Sequence, residues 1–209
     1  MLAHAEKPSR VRLPAVIRKG TAVIEEAIAK RRSIRHFRRV PLSLDTISRI
    51  LWAAQGITDP DSGFRAVPSA GALFPLELYL VVRMDGVEDL PEGVYHYDPK
   101  GNILTLIRGG DSTTELESAT WNQGIVKEAS ATLVIMGVLS RTAAKYGSRS
   151  ARYVYQESGH AAQNVFLEAT SMGLGTVAMG AFREASVRRV VGARADERPL
   201  YVQPLGVPA

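Results

Sequence analysis

Apolar and polar residues recur along the chain with two different periods, and these periods predict its secondary structure. Apolar residues three and four positions apart predict a helix that begins after Ser43, a good N-cap, and continues to Ala54. The same spacing predicts the longest helix over residues 151–172, which Gly173 can end. Shorter helical patterns cover residues 21–30, where Thr21 can cap, and residues 115–127 and 184–191.

Other apolar stretches lack the helical period and predict buried strands. They cover residues 78–82, 131–139, 174–179 and 200–205. Residues 93–97 and 102–107 flank the sequence Asp-Pro-Lys-Gly and predict a hairpin. Helices interleaved with strands and a hairpin indicate an α+β layered domain. With 209 residues, we expect a basic, extended N-terminal arm at 1–20 and a single domain at 21–209.

Composition excludes several kinds of site. The chain has no cysteine, so disulfides, thiolate metal sites and a cysteine nucleophile are excluded. The four histidines lack the spacing of metal ligands, so no metal site is expected. The sequence contains neither a signal-type apolar core nor an apolar run long enough to span a membrane. These observations predict a cytoplasmic protein with no membrane partner.

The positive charge is concentrated in one segment. The formal net charge is +5, and six basic residues but no acidic residue lie between Lys30 and Arg39. Arginine binds phosphate through two parallel hydrogen bonds, and a serine hydroxyl adds a third. The candidate phosphate-binding residues are Arg31, Arg32, Ser33 and Arg35. The alternatives are a solvated helix end or a nucleic-acid-binding module, although no aromatic stacking platform accompanies the arginines.

Three further segments carry candidate chemistry. Small residues allow a backbone to approach a flat ligand closely, and they occur at two places. These places contain Pro68, Ser69 and Gly71 in one loop, and Met179, Gly180 and Ala181 after a predicted strand. Lys145 and Tyr146 precede the longest helix and could act as a general acid and base. Ordinary loops and surface residues are the alternative interpretations.

These segments, in this order, resemble the nitroreductase-like FMN-dependent oxidoreductases, and within them the SagB-type dehydrogenase branch. The similar segments are residues 31–37, 68–77, 145–175 and 179–182. The resemblance implies an α+β layered fold with a mixed, mainly antiparallel sheet packed by helices. It also implies a homodimer that acts on a small-molecule substrate, with FMN and the long central helix at the dimer interface and no nucleic-acid partner.

The resemblance also implies roles for individual residues. Arg31, Arg32, Ser33 and Arg35 would hold the phosphate and ribityl chain of FMN. Ser69 and Gly71 would lie near the flavin ring, and Gly180 and Ala181 would direct backbone amides toward it. Pro68 and Met179, beside them, are further cofactor-binding candidates. Lys145 and Tyr146 would abstract a proton, and burial would favour the neutral form of the lysine. Gly159 and Ala162 would pack against the same helix of a second copy.

The implied function is hydride transfer through flavin N5. One version reduces nitro- or quinone-type acceptors with NADH or NADPH, and the other dehydrogenates a small heterocycle, as azoline oxidases do. Ala72 stands where classical nitroreductases have asparagine, and Gly180 where they usually have glutamate. The chain stops after Gly206-Val207-Pro208-Ala209, so we expect phosphate neutralisation to depend mainly on the arginines. A flavin-binding protein without turnover is the alternative.

Overall fold

The computed structural model describes residues 10–16, 23–121 and 124–209. Thr21, predicted to cap the first helix, and most of the predicted arm lie outside these residues. In the described part of the arm, Arg10–Arg12 forms a strand at the edge of the main sheet, and Leu13 is buried in the core. The proposed domain boundary at residue 21 stays a prediction.

The centre of the molecule is an antiparallel sheet. Its strands are β1 (Arg10–Arg12), β2 (Phe37–Arg38), β5 (Leu76–Val82), β6 (Gly93–Asp98), β7 (Ile103–Gly109), β8 (Ala131–Val138), β9 (Gly175–Thr176) and β10 (Glu197–Pro208). Their order is β1-β7-β6-β5-β8-β10, and β2 and β9 pair with the outer side of β10. A separate small hairpin consists of β3 (Ile57–Asp59) and β4 (Phe64–Arg65).

Helices cover both faces of this sheet. They are α1 (Ile24–Lys30), α2 (Leu44–Gln55), α3 (Thr113–Ala119), α4 (Ile125–Glu128), α5 (Leu139–Tyr146), α6 (Ser150–Ser171) and α7 (Glu184–Val191). Strand β5 shows why the central strands are apolar throughout, because successive side chains point to opposite faces. Leu78 and Leu80 pack in the core with α2 and α6, whereas Tyr79 and Val81 pack in the core with α3, α4 and α7.

The structure confirms the α+β layered fold and most predicted elements. Ser43 caps α2, since its Oγ accepts a hydrogen bond from the backbone N of Thr46 at 3.2 Å. The hairpin of β6 and β7 forms, and α6 closely matches the predicted long helix. Within the described residues, no helix is long and apolar enough to cross a membrane.

Two element predictions were wrong in part, and one helix was not predicted. The helix predicted over 115–127 is divided into α3 and α4, because Thr120 ends α3 and Trp121 has a left-handed backbone. The strand predicted over 174–179 is regular only at Gly175–Thr176, although Met179 pairs again with Val202. Helix α5 was not predicted, and it begins at Leu139, the residue at which the preceding strand was predicted to end.

Candidate functional site

The loop that contains Ser69 and Gly71 has an unusual backbone. Gly71, Ala72 and Phe74 have φ angles of 66°, 54° and 46°. The left-handed region is unfavourable for residues with a Cβ, so the surrounding structure must hold Ala72 and Phe74 in place. Ser69 contributes, because its Oγ accepts a hydrogen bond from the backbone N of Phe74 at 2.9 Å. The side chain of Ser69 therefore helps to hold the left-handed backbone of this loop.

Lys145 and Tyr146 lie directly over Gly71. A Cβ at Gly71 would lie 2.9 Å from Tyr146 Oη and 3.0 Å from Lys145 Nζ. The ring of Tyr146 also packs edge-on against Tyr153, with 5.0 Å between the ring centroids. Lys145 is exposed, so this chain alone does not provide the burial expected for it. The structure nevertheless brings two segments with predicted chemistry into contact, although more than seventy residues separate them.

A network of charged residues fixes α5 to this loop. Arg141, one turn before Lys145, donates a hydrogen bond to the Phe74 carbonyl at 3.1 Å and forms an ion pair with Glu77. The other oxygen of Glu77 lies 2.7 Å from His96 Nε2. Burial acts to raise the pKa of Glu77, but hydrogen bonds from His96 and Arg141 outweigh it and hold the pKa below its usual value. Glu77 therefore stays ionised and keeps Arg141 in place.

Glu157 on α6 is a buried carboxyl group beside the same loop. It is 3% exposed, and its Oε1 has no hydrogen-bond partner among the described residues. Burial raises the pKa of Glu157 to about 7, although the Ser69 hydroxyl and the charge of Arg65 act in the opposite direction. Near neutral pH this carboxyl group therefore exists in both protonation states.

The predicted phosphate-binding arginines lie elsewhere, near the C-terminal half of α6. The guanidinium of Arg31 stacks on the ring of Phe166, 5.1 Å from its centroid, and Ser33 pairs with Thr176. Arg32 donates hydrogen bonds to nearby backbone carbonyls, and Arg35 is exposed. Within the residues that the structure describes, no carboxylate forms an ion pair with any of the three arginines.

The segment of Met179, Gly180 and Ala181 follows β9, whose Thr176 pairs with Ser33. Met179 is buried and exchanges two backbone hydrogen bonds with Val202, at 2.9 and 3.0 Å. Gly180 and Ala181 follow at the surface, and a Cβ at Gly180 would meet nothing within 4 Å. Gly180 borders a cleft of about 340 Å³ that Tyr155 and Ser158 of α6 also line. Its backbone is thus open to a ligand.

The candidate residues form two groups on different sides of α6. The loop side consists of Pro68, Ser69, Gly71, Lys145 and Tyr146, next to Glu157. The arginine side consists of Arg31, Arg32, Ser33, Arg35, Met179, Gly180 and Ala181, next to Phe166 and Ser158. Between them, α6 presents the exposed residues Arg152, Gln156, His160 and Gln163. One chain does not bring the two groups together.

The small residues of α6 only partly follow the expectation for a contact with a second copy. Ala162 is 4% exposed and packs in the core of its own chain, where its carbonyl accepts a hydrogen bond from Gln203. The prediction that Ala162 packs against a second copy was therefore wrong. Gly159 does lie at the surface, with nothing within 4 Å of a Cβ built there.

Sequence reasoning missed four residues that organise the loop side: Arg65, Glu77, Arg141 and Glu157. Glu77 and Glu157 lie in the similar segments 68–77 and 145–175, but no role was predicted for either residue. A glutamate among the buried positions of a helix was the available signal for Glu157. No pattern could have joined Arg141 to Glu77, because their contact depends on the tertiary fold. Among the described residues, no cluster of histidines or carboxylates could hold a metal ion.

Comparisons with known proteins identify the family of this chain. The model of the Nitroreductase family matches residues 28–207. A Methanocaldococcus jannaschii protein named by inference as a nitroreductase, MJ1384, is 44% identical over 184 residues, which are 88% of this chain and 90% of that protein. The microcin B17-processing protein McbC of Escherichia coli is 29% identical over 171 residues. That alignment covers 79% of this chain but 62% of McbC.

Solved structures show the same fold. A Ralstonia eutropha structure assigned by inference to the nitroreductases has a TM-score of 0.86 and 26% identity, and the match covers 98% of this chain and 92% of that one. A chain in the E. coli microcin synthetase McbBCD complex with truncated pro-MccB17 has a TM-score of 0.75 and 25% identity, over 98% of this chain and 78% of that one. The chain belongs to the nitroreductase family and is an oxidoreductase of that family.

Proposed function

We propose that the protein is an FMN-dependent oxidoreductase with Lys145 and Tyr146 as its proton-handling residues. The observation that carries this proposal is the contact of both side chains with Gly71, which builds a local site from two distant segments. When bound, FMN would supply the hydride acceptor and donor, because flavin carries the redox chemistry that amino-acid side chains lack.

The arginine side fits the phosphate end of FMN. Arg31 and Arg35 have no carboxylate partner among the described residues, so they can bind an anion without breaking an ion pair. Segment 176–179 runs antiparallel to Val202–Leu205. It begins at Thr176, which pairs with Ser33, and ends next to Gly180. A ribityl chain lying along it would bring the ring to the open backbone of Gly180 and Ala181.

The loop side would reach the same ring only from a second copy of the chain. The exposed face of α6 lies between the two sides, and α1 adds exposed Val23, Ile24 and Ile28. Contiguous apolar side chains at a surface favour an interface. Two copies packed through these surfaces around a twofold axis would place the loop side of one copy against the arginine side of the other.

We propose dehydrogenation as the direction of the reaction. The substrate would lose a proton to Lys145 Nζ in its neutral amine form, which burial against a second copy would favour, and bound FMN would supply the hydride acceptor. Tyr146 Oη lies over the same glycine and would be the second proton-handling group. The similarity to McbC, a microcin-processing protein, supports this direction and a place in the SagB-type branch. The similarity to MJ1384, named as a nitroreductase, favours reduction by NADH or NADPH as a second candidate.

An absorbance scan with added FMN, before and after gel filtration, tests cofactor binding. Flavin that stays with the protein supports the proposal, whereas a protein that elutes without flavin contradicts it. Anaerobic addition of NADH and of NADPH to the loaded protein then distinguishes the directions. Bleaching by either nucleotide indicates the reductase cycle, and the absence of bleaching by both is expected for the dehydrogenase.

Lys145→Met tests the role of the lysine. We expect this variant to keep its FMN, because Lys145 is proposed to act in the proton step and not in cofactor binding. The rate of substrate oxidation should fall by about 100-fold. Lys100→Met, at an exposed turn, is the matched control and should retain full activity. Unchanged activity in Lys145→Met would contradict the assignment.

A further inference from the structure

One cavity among the described residues lies outside the residues proposed to bind FMN. Its volume is about 790 Å³, and it lies between the end of α2, the β3–β4 hairpin and the turn that joins β6 to β7. Its polar lining includes Gln55, Arg65, Glu77, His96 and Arg141, and its apolar lining includes Leu76 and Leu78. This volume is in the range that organic ligands occupy in proteins.

Gln55 has an unused hydrogen-bond donor in this cavity. The side chain is 1% exposed, and its Oε1 accepts a hydrogen bond from Arg65 Nη1 at 2.7 Å. A guanidinium only donates, so the amide must turn its oxygen toward Arg65 and its NH₂ group away. Nε2 has no partner among the described residues. A buried donor without an acceptor costs about 1–3 kcal/mol, so a ligand acceptor has a place here.

Arg65 has a charge without an anionic partner. Its guanidinium stacks on the ring of Phe74, 4.5 Å from the centroid, and no carboxylate among the described residues forms an ion pair with it. Burial lowers the pKa of Arg65, and the charges of Glu77 and Glu157 oppose this effect. Arginine stays protonated in proteins, so the cavity wall holds an unpaired cation.

The other charged groups inside the cavity are already engaged, and Lys100 at the exposed rim is a further cation without an ion pair among the described residues. Glu77 binds Arg141 and His96, and Asp98 accepts a hydrogen bond from the backbone N of Lys100. Inside the cavity, the free binding capacity is therefore one amide NH₂ group and one guanidinium, joined by their mutual hydrogen bond. Adjacent donors of this kind match the two oxygens of a carboxylate.

We propose that this cavity binds an organic carboxylate, which accepts hydrogen bonds from Gln55 Nε2 and Arg65 and lays its apolar part on Leu76 and Leu78. The carboxylate could come from a free acid or from the C-terminus of a peptide. The cavity lies behind the loop of Gly71, because Arg65 and Arg141 both contact Phe74. The proposal does not depend on FMN, since none of the proposed FMN-binding residues lines this cavity.

Calorimetric titration of the full chain with N-acetyl-phenylalanine and with N-acetyl-phenylalaninamide tests the proposal. The two probes have the same apolar part, and only the first has a carboxylate. We expect the acid to bind at least about tenfold more tightly, which is the contribution of one charge-assisted hydrogen bond. Equal affinity for the two probes, or no binding of either, would overturn the proposal.

The tripeptide N-acetyl-Gly-Gly-Phe distinguishes the two sources. Tighter binding than that of the single amino acid supports a peptide C-terminus, and equal binding supports a free acid. The tripeptide is compared only after the acid probe has been shown to bind more tightly than the amide probe. The proposal that the cavity binds a carboxylate is therefore tested before the question of which molecule carries that carboxylate.

Gln55→Glu is the sharpest variant, because it supplies Arg65 with a carboxylate from within the chain. We expect the acid probe to bind at least about tenfold more weakly, while the unfolding temperature stays the same or rises. Lys100→Met at the rim of the cavity is the control, and its affinity should change by less than about twofold. Equal losses in the two variants would indicate general charge attraction and overturn the assignment. Retention of FMN by Gln55→Glu keeps this test separate from that of the flavin site.

Discussion

The loop side and the arginine side of α6 are organised in opposite ways. On the loop side, the chain itself satisfies its charges, because Arg141, Glu77 and His96 bind one another and hold a loop with left-handed residues. On the arginine side, Arg31 and Arg35 are unpaired among the described residues, and the backbone of Gly180 is open. The loop side is therefore already ordered by contacts within the chain, whereas the arginine side has cationic groups available to bind an anion.

This difference indicates where each side obtains its stability. A strained loop persists only if neighbouring contacts hold it in place. Substitutions on the loop side should therefore alter the geometry of the loop and the pH dependence of folding stability. Unpaired arginines contribute little to folding and much to ligand binding, so changes on the arginine side should alter affinity alone. The following predictions are ordered by the size of the expected effect.

Removal of two arginines from the arginine side should have the largest effect. Arg31→Ala with Arg35→Ala removes charge-assisted hydrogen bonds worth about 1.5–3 kcal/mol each, so FMN affinity should fall at least about 100-fold. Fluorescence titration with FMN measures this loss. Arg39→Ala with Arg189→Ala lowers the net charge equally and should change affinity by only a few-fold. Equal losses in the two double variants would show that the phosphate is not bound here.

Glu157→Gln should change how stability depends on pH. In the folded chain the pKa of Glu157 is raised from 4.5 to about 7, so the folded state binds the proton more tightly than the unfolded state. Its stabilising contribution is present below about pH 4.5 and is lost as the pH rises to about 7. Relative to wild type, the variant should therefore gain on the order of 2–3 kcal/mol between pH 5 and pH 8.

Urea unfolding at the two pH values measures this gain. Glu25→Gln, on the exposed surface of α1, provides the background change for loss of one carboxylate. The difference in unfolding free energy between Glu157→Gln and the wild type should therefore differ between pH 5 and pH 8. The same difference at both pH values would contradict the burial of an ionisable carboxyl group beside the loop.

Gly71→Ala should have the smallest effect on stability and a clear effect on activity. The new Cβ would lie about 3 Å from Tyr146 Oη and Lys145 Nζ, so both groups must shift. Gly63→Ala is a matched control, because Gly63 has a φ of 72° and nothing within 4 Å. Both variants should lose about 1 kcal/mol of folding free energy. Only Gly71→Ala should lower the rate of substrate oxidation, by about tenfold. Equal rates in the two variants would show that the contact of Gly71 with Lys145 and Tyr146 is not needed for catalysis.

Sequence patterns predicted the fold where local signals were strong. The period of α6, the cap at Ser43 and the hairpin around Asp98 follow from contacts within a few residues. Helix α5 was missed because its eight residues pack only one side chain, Thr142, completely inside. The division of α3 from α4 depends on the single left-handed residue Trp121, which no periodicity shows.

The candidate site was predicted as motifs and not as an arrangement. The sequence indicated Ser69, Gly71 and Lys145 as candidates, but their proximity depends on β5 and β8 lying side by side. The unpaired state of Arg65 and the burial of Glu157 arise only in three dimensions. The separation of the loop side from the arginine side by α6 was likewise invisible in the sequence.

The most direct test of a site shared between two copies is FMN binding by mixed variants. Arg31→Ala with Arg35→Ala disables the arginine side, and Gly71→Phe fills the loop side, so each variant alone should bind little FMN. After subunit exchange at equal amounts, random pairing gives about one intact site in four if each site uses both copies. Recovery of about one quarter of wild-type FMN binding is the predicted result. No recovery in demonstrably exchanged mixtures would contradict the shared site.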